Sequence, residues 1–170
     1  IDGKTRIASR LKALKSVLKL PSDRSIGIVL DADKSAASTF QSVQNALNNA
    51  GLPVPQSIGV PVAQNSLRVS VLILPVFQDT GSLEDVCLKS VENDPALKCV
   101  DEYFQCLKDA PIPLPREITK AKVEVFLASR EKPDLRLGEA AQKGYWRFEN
   151  PAFDALKEFL KQIADPATRD

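Results

Sequence analysis

The 170-residue sequence has no histidine and no methionine, a single tryptophan and only three cysteines. Without histidine, Ser-His-Asp catalysis, Cys-His catalysis and every histidine-ligated zinc site are excluded. Acid–base or metal chemistry must then rest on carboxylates, lysine, tyrosine or water, and carboxylates suit Mg²⁺ or Mn²⁺. Cys87, Cys99 and Cys106 are odd in number and follow no motif spacing. That argues against a disulfide framework and for a reducing, cytoplasmic compartment. Cys99 and Cys106 stand seven apart, the spacing of one helical face, and core packing is their expected use. No apolar run approaches the ~20 residues that a bilayer-spanning helix needs, so no membrane is expected as a partner. No signal peptide is visible in a chain that starts at Ile1. Neither GxGxxG nor GxxxxGK[ST] occurs, so nothing reads as a phosphate-cradling loop.

What is present is ordinary in amount and uneven in placement. Hydrophobic residues make up 44% and charged residues 26%, the composition of a globular protein, and the length suits one domain over 1–170. Net charge is only +1, yet residues 1–20 hold six basic residues against Asp2, a balance of +5. Residues 79–109 hold eight acids against three lysines, a balance of −5. Such polarity can steer a charged partner, although a solvated surface is the commoner reason for it.

Apolar spacing sets out the elements. Ile7, Leu11, Leu14 and Leu18 mark a helix over 5–20, with Lys12, Lys15 and Lys19 on another of its faces. The run IGIVL at 26–30 reads as a strand covered on both faces. A helix over 35–50 follows, striped by Ala36, Phe40, Val43, Leu47 and Ala50 and ended by Gly51 and Pro53. Strands are expected at 57–62 and 68–74, and the AQNS between them can turn a hairpin with one antiparallel neighbour. Helices are then expected from about residue 83, over 96–108 and over 116–129, with the stiff PIPLP connector at 111–115. A last helix is opened by Asn150-Pro151, striped by Phe153, Leu156, Leu160 and Ile163, and stopped by Pro166. The class is α/β: a mostly parallel sheet flanked by helices, with a helical C-terminal part over 110–170.

Three features carry chemistry. IGIVLDADK ends a strand in Asp31 and Asp33, which along a strand point to one side about 6.5–7 Å apart. At the carboxyl end of a strand in an open α/β sheet, that side faces the crevice where ligands bind. Two carboxylates there repel unless a cation or proton lies between them. A turn, with Asp33 capping the next helix, is the competing explanation. Second, Gly81-Ser82-Leu83-Glu84-Asp85 starts a helix just after the VLILP strand. Ser82 with Asp85 resembles a capping box, which leaves Glu84 to point elsewhere, and adjacent strands would bring it to the edge that carries Asp31 and Asp33. Third, Lys12, Lys15, Lys19, Lys34, Arg130, Lys132 and Lys143 are candidate phosphate contacts, and GYWRF at 144–148 offers aromatics for base stacking. Solvated charge and core packing are the ordinary uses of both sets.

The succession of IGIVLDADK, an amphipathic helix, an apolar strand ending in LP, and GSLED resembles the toprim-related family over about residues 1–165. More narrowly it resembles small stand-alone toprim-like proteins related to the toprim domains of OLD-family nucleases. The resemblance implies a toprim-like, Rossmann-like fold and Mg²⁺- or Mn²⁺-dependent nuclease chemistry on nucleic acid phosphodiesters. It implies Asp31 and Asp33 as the DxD pair, Ser82 and Glu84 as a Ser-x-Glu at a second metal, and a late lysine that assists catalysis, for which Lys120, Lys122 and Lys132 are the matches. It also implies an ATPase partner on a separate chain and leaves an oligomer open. The first-strand Glu-Gly of the family is missing and would precede Ile1, and Val76-Phe77 replace an expected Asp-Asn. A non-catalytic toprim-like interaction module is therefore the alternative reading.

Overall fold

The structure is a computed structural model that describes residues 7, 9–11, 13 and 24–164. Its described chain divides into two compact units, one comprising the residues through Ser82 together with those from Ala155 onward, the other Leu83–Asp154. The final helix thus belongs to the first unit, although by sequence it closes the helical C-terminal part.

In the first unit, β1 (Arg24–Asp31) leads into α1 (Ala36–Ala50), then β2 (Val62–Gln64) and β3 (Leu67–Leu74). Strand order is β1-β3-β2. β1 runs parallel to β3 from Arg24↔Leu67 to Asp31↔Leu74, and β2 pairs antiparallel with β3. The sheet is therefore mixed, which corrects the expectation of a mostly parallel one. The cause is local: Asn65 and Ser66 both adopt positive φ, 51° and 61°, the backbone of a two-residue hairpin that returns the chain antiparallel. The strand expected over 57–62 shrinks to Val62–Gln64, because Gly59 turns at φ 76° and Pro61 has no N–H for a ladder.

α1 forms where its stripe predicts. Ser35 is its N-cap, accepting from the Ser38 N–H, and Gly51 closes it in the left-handed region at φ 61°. Phe40, Val43, Ala46, Leu47 and Ala50 pack onto Ile26, Val69, Val71 and Ile73, and Leu11 joins the same core. Residues 7, 9–11 and 13 are helical, as the spacing of Ile7 and Leu11 requires. The remainder of the helix expected over 5–20, with Leu14, Leu18, Lys12, Lys15 and Lys19, lies outside the described residues, as does Pro166. The other face of the sheet receives α6 (Asp154–Ala164). A Cβ on Gly27 would lie 3.0 Å from Ile163 Cγ1 and 3.1 Å from Phe159 Cε1, so β1 lets α6 approach by having no side chain there.

The second unit is helical: α2 (Leu83–Ser90), α3 (Pro95–Asp109), α4 (Ile118–Ala128) and α5 (Leu137–Gln142). α5 is absent from the sequence reading. The turn Pro151–Phe153 is a 3₁₀ helix, with Asn150 capping it as expected. Phe126 and Trp146 stack with centroids 5.5 Å apart, and the Trp146 indole N–H donates to the Leu137 carbonyl at 3.1 Å. Among the described residues no helix is long and apolar enough to cross a membrane.

Candidate functional site

The carboxyl end of β1 is built around Ala32, which has no exposed surface. Its N–H donates to the Leu74 carbonyl at 2.7 Å, and its own carbonyl accepts from Ser35 N–H at 3.0 Å and the Thr39 hydroxyl at 3.1 Å. Burying this one small residue fixes an aspartate on each side of it. Asp31 is the last residue of β1, opposite Leu74. Asp33 has turned out of the strand to φ 52°, where aspartate is one of the few tolerated L-residues. The same-side strand spacing inferred from sequence therefore stops at Asp31, and Asp33 is placed by a turn.

That turn is clamped from across the sheet. Asp33 N–H donates to the Gly81 carbonyl at 2.7 Å and Gly81 N–H returns a bond to the Asp33 carbonyl at 2.9 Å. Ala36 N–H, in the first turn of α1, donates to the Asp79 carbonyl at 2.8 Å. The loop after β3 is thus laid over the loop after β1, beside the positive end of the α1 dipole, where negative charge is favoured. Since Ser35 caps α1, the competing assignment of Asp33 as that cap gives way. Asp79 is exposed on the same loop and was not singled out by sequence; its only signal was its place in the polar QDTG segment.

Glu84 opens α2 in the second unit, whereas Asp31, Asp33 and Ser82 belong to the first. Within its own unit Glu84 lines an open cleft of about 500 Å³ with Lys120, Glu124, Asp134 and Arg136. The apolar floor is Val123, Leu127, Leu135 and Leu137. Asp85 ties α2 to α4 by accepting from the Thr119 hydroxyl at 3.3 Å. Cys87, one turn beyond Glu84, is buried; burial first, and the Glu84 charge second, push its thiol up to about 12. It is a packed thiol and not a nucleophile.

The basic candidates separate by their partners. Lys120 lies at the cleft and pairs with Glu117 at 2.6 Å, while Lys122 pairs with Asp101 at 2.5 Å. Arg130 bonds Asp94 at 3.0 Å and lies 4.0 Å over the Phe126 ring, both side chains mostly buried, so it is structural. Burial alone would raise the Asp94 carboxyl. The Arg130 hydrogen bond, the Ala96 N–H and the charges of Arg130 and Arg147 outweigh it and hold the group below the usual aspartate range. Trp146 is packed on Phe126 instead of offering a stacking face, and Tyr145 accepts from Lys132 N–H at 3.2 Å. Cys99 and Cys106 are exposed on α3, which corrects their expected place in the core: the buried stripe of that helix is Val100 and Phe104. Among the described residues no group of three or more cysteine, aspartate or glutamate side chains is gathered as a metal-holding set.

These features define a mixed α/β protein whose parallel strand pair ends in two aspartates clamped by the following loop. The chain belongs to a family described as "Protein of unknown function (DUF3226)", whose model matches residues 1–165. No curated protein and no solved structure matches it.

Proposed function

We propose that the protein binds Mg²⁺ or Mn²⁺ through Asp31 and Asp33 and acts on phosphodiester bonds of nucleic acid. The observation that carries this reading is the placement of Asp33, held in a left-handed turn beside Asp31 by its two bonds with Gly81. Backbone strain of this kind persists where the surroundings over-determine it, and ligand sites are where it concentrates. The donor set fits the ion: both groups are hard oxygen donors, and Mg²⁺ is commonly held by one or two carboxylates completed by water and substrate phosphate. Once bound, such an ion supplies Lewis-acid polarisation of a phosphoryl oxygen.

The chain's own residues do the rest. Asp31 and Asp33 hold the ion at the strand end, and the α1 N-terminus favours anionic substrate beside it. Following the toprim resemblance, Glu84 serves a second metal on the cleft it shares with Lys120, the favoured assisting lysine. An ATPase on a separate chain completes the system.

Asp33→Asn tests this, because asparagine keeps the left-handed backbone and removes the charge. Wild type titrated with Mg²⁺ in a calorimeter is expected to give a binding isotherm that Asp33→Asn abolishes. Incubated with Mn²⁺ and plasmid or single-stranded DNA, wild type is expected to cut and Asp33→Asn to be inert. Equal cleavage by both proteins, or by neither, sinks the nuclease reading and leaves the toprim-like interaction module.

A further inference from the structure

The loop after β3 presents an aromatic ring to solvent from a backbone that is held in place. Of the seven phenylalanines, Phe40 and Phe159 are buried, and Phe104, Phe126, Phe148 and Phe153 each lie against another ring. Phe77 does neither: it is 46% exposed, Val76 beside it is 50% exposed, and no ring among the described residues stacks on it. A single exposed apolar side chain is ordinary on a surface. What sets Phe77 apart is how its loop is tied. The Ala32 N–H fixes the start by donating to the Leu74 carbonyl at 2.7 Å. The Ala36 N–H on the Asp79 carbonyl, at 2.8 Å, and the exchange between Asp33 and Gly81 fix the end. Between them the Gln78 carboxamide donates to the Thr80 carbonyl at 2.8 Å. The ring is thus preorganised, which lowers the ordering cost for anything that stacks on it.

Its place beside the two aspartates selects what does. Phe77 stands four positions before Gly81, the partner of Asp33, so at most ~14 Å of extended chain separates them. A stacked strand advances about 3.4 Å per nucleotide, and a few nucleotides span that gap. Every base offers a π-face to an aromatic ring, and in a duplex neighbouring bases already cover those faces. We propose that Phe77 stacks on an unpaired base of the strand whose phosphate meets the ion at Asp31 and Asp33, which makes single-stranded nucleic acid the substrate class. The inference rests on that ion site. Asp31, Asp33 and Asp79 are acids and repel phosphate, so the ion brings in the phosphate and the ring holds the base.

Fluorescence anisotropy of a labelled oligonucleotide in Mg²⁺, alone and annealed to its complement, tests this. Wild type is expected to bind the single strand more tightly than the duplex. Phe77→Ala and Phe77→Leu are each expected to weaken single-strand binding by about 5- to 150-fold, and Phe77→Trp to keep it. Leucine keeps the apolar bulk and removes the ring, so wild-type affinity in Phe77→Leu overturns the stacking role, as it does in Phe77→Ala. If Phe77→Ala does not fold, Phe77→Leu decides. Duplex binding as tight as single-strand binding overturns the substrate class. A wild type that binds neither probe overturns the proposal too, and its calorimetric titration with Mg²⁺ shows which part failed. A retained isotherm confines the failure to Phe77; a missing one places it in the ion site.

Discussion

Asp33 and Gly81 exchange backbone hydrogen bonds in both directions, and Asp33 makes them from the left-handed region at φ 52°. An L-residue with no side-chain compensation loses roughly 1–2 kcal/mol in that region, while glycine loses none. Asp33→Ala is therefore expected to lower unfolding free energy by about 1 kcal/mol, and Asp33→Gly to leave it unchanged or raised. Urea unfolding of the two variants checks this; equal losses would show that the carboxylate, not the backbone, is what the fold needs.

At Gly27 the constraint is space. Its missing Cβ would come within 3.0 Å of Ile163 and 3.1 Å of Phe159. Gly27→Val overfills that contact and is expected to cost about 1–3 kcal/mol, with part recovered on adding Ile163→Ala. Additive losses in the double variant would place the cost elsewhere.

The Arg130–Asp94 pair makes a pH prediction of defined sign. Because the folded protein holds the Asp94 carboxyl below its usual range, the pair's contribution is complete above the ordinary aspartate pKa and is lost as pH falls through the lowered value. Arg130→Met is expected to cost about 1.5–3 kcal/mol at neutral pH and to flatten the acid limb of the stability curve. An unchanged acid limb, measured by urea unfolding at stepped pH, would contradict the assignment.

Thiol chemistry should divide the cysteines two to one. Cys99 and Cys106 are exposed, while Cys87 is buried with its thiol pushed up to about 12. Iodoacetamide at mildly alkaline pH is expected to label Cys99 and Cys106 in the native protein and Cys87 only after denaturation, as peptide mass spectrometry reads it. Labelling of Cys87 at a comparable native rate would mean that α2 opens readily.

Much of the architecture was legible because it rests on local pattern. IGIVL and VSVLIL are continuous apolar runs of strand length, and both are strands in the sheet. β3 is buried on both faces, as expected of such a run, whereas β1, expected to be covered on both faces, leaves Gly27 and Val29 exposed on one of them. Phe40, Val43 and Leu47 announce α1 by spacing, and Asn150 announces the last helical segment by its cap. Elsewhere local pattern carried too little. Leu137–Gln142 is six residues with a glycine inside, held partly by the Glu139 carboxylate accepting from Arg136 N–H at 2.8 Å, and it has no stripe to read. Asp33 leaves strand end and turn as competing readings, because aspartate is at home in a strand end and in a left-handed bend alike; the structure takes the turn, with Ser35 and not Asp33 as the cap. The assignment of Ser82 to one unit and Glu84 to the next depends on the packing of α2 against α4, set by residues more than thirty positions further on. Short-range periodicity cannot express that.

The stack of Trp146 on Phe126 has a spectroscopic consequence. The chain has one tryptophan and two tyrosines, and Trp146, Tyr103 and Tyr145 all lie between 83 and 154. Ultraviolet emission and near-ultraviolet dichroism above the phenylalanine band therefore listen to the helical unit alone, while amide dichroism hears both. Comparing the two signals during one denaturation separates a concerted collapse from a stepwise one, with no dye, tag or substitution introduced.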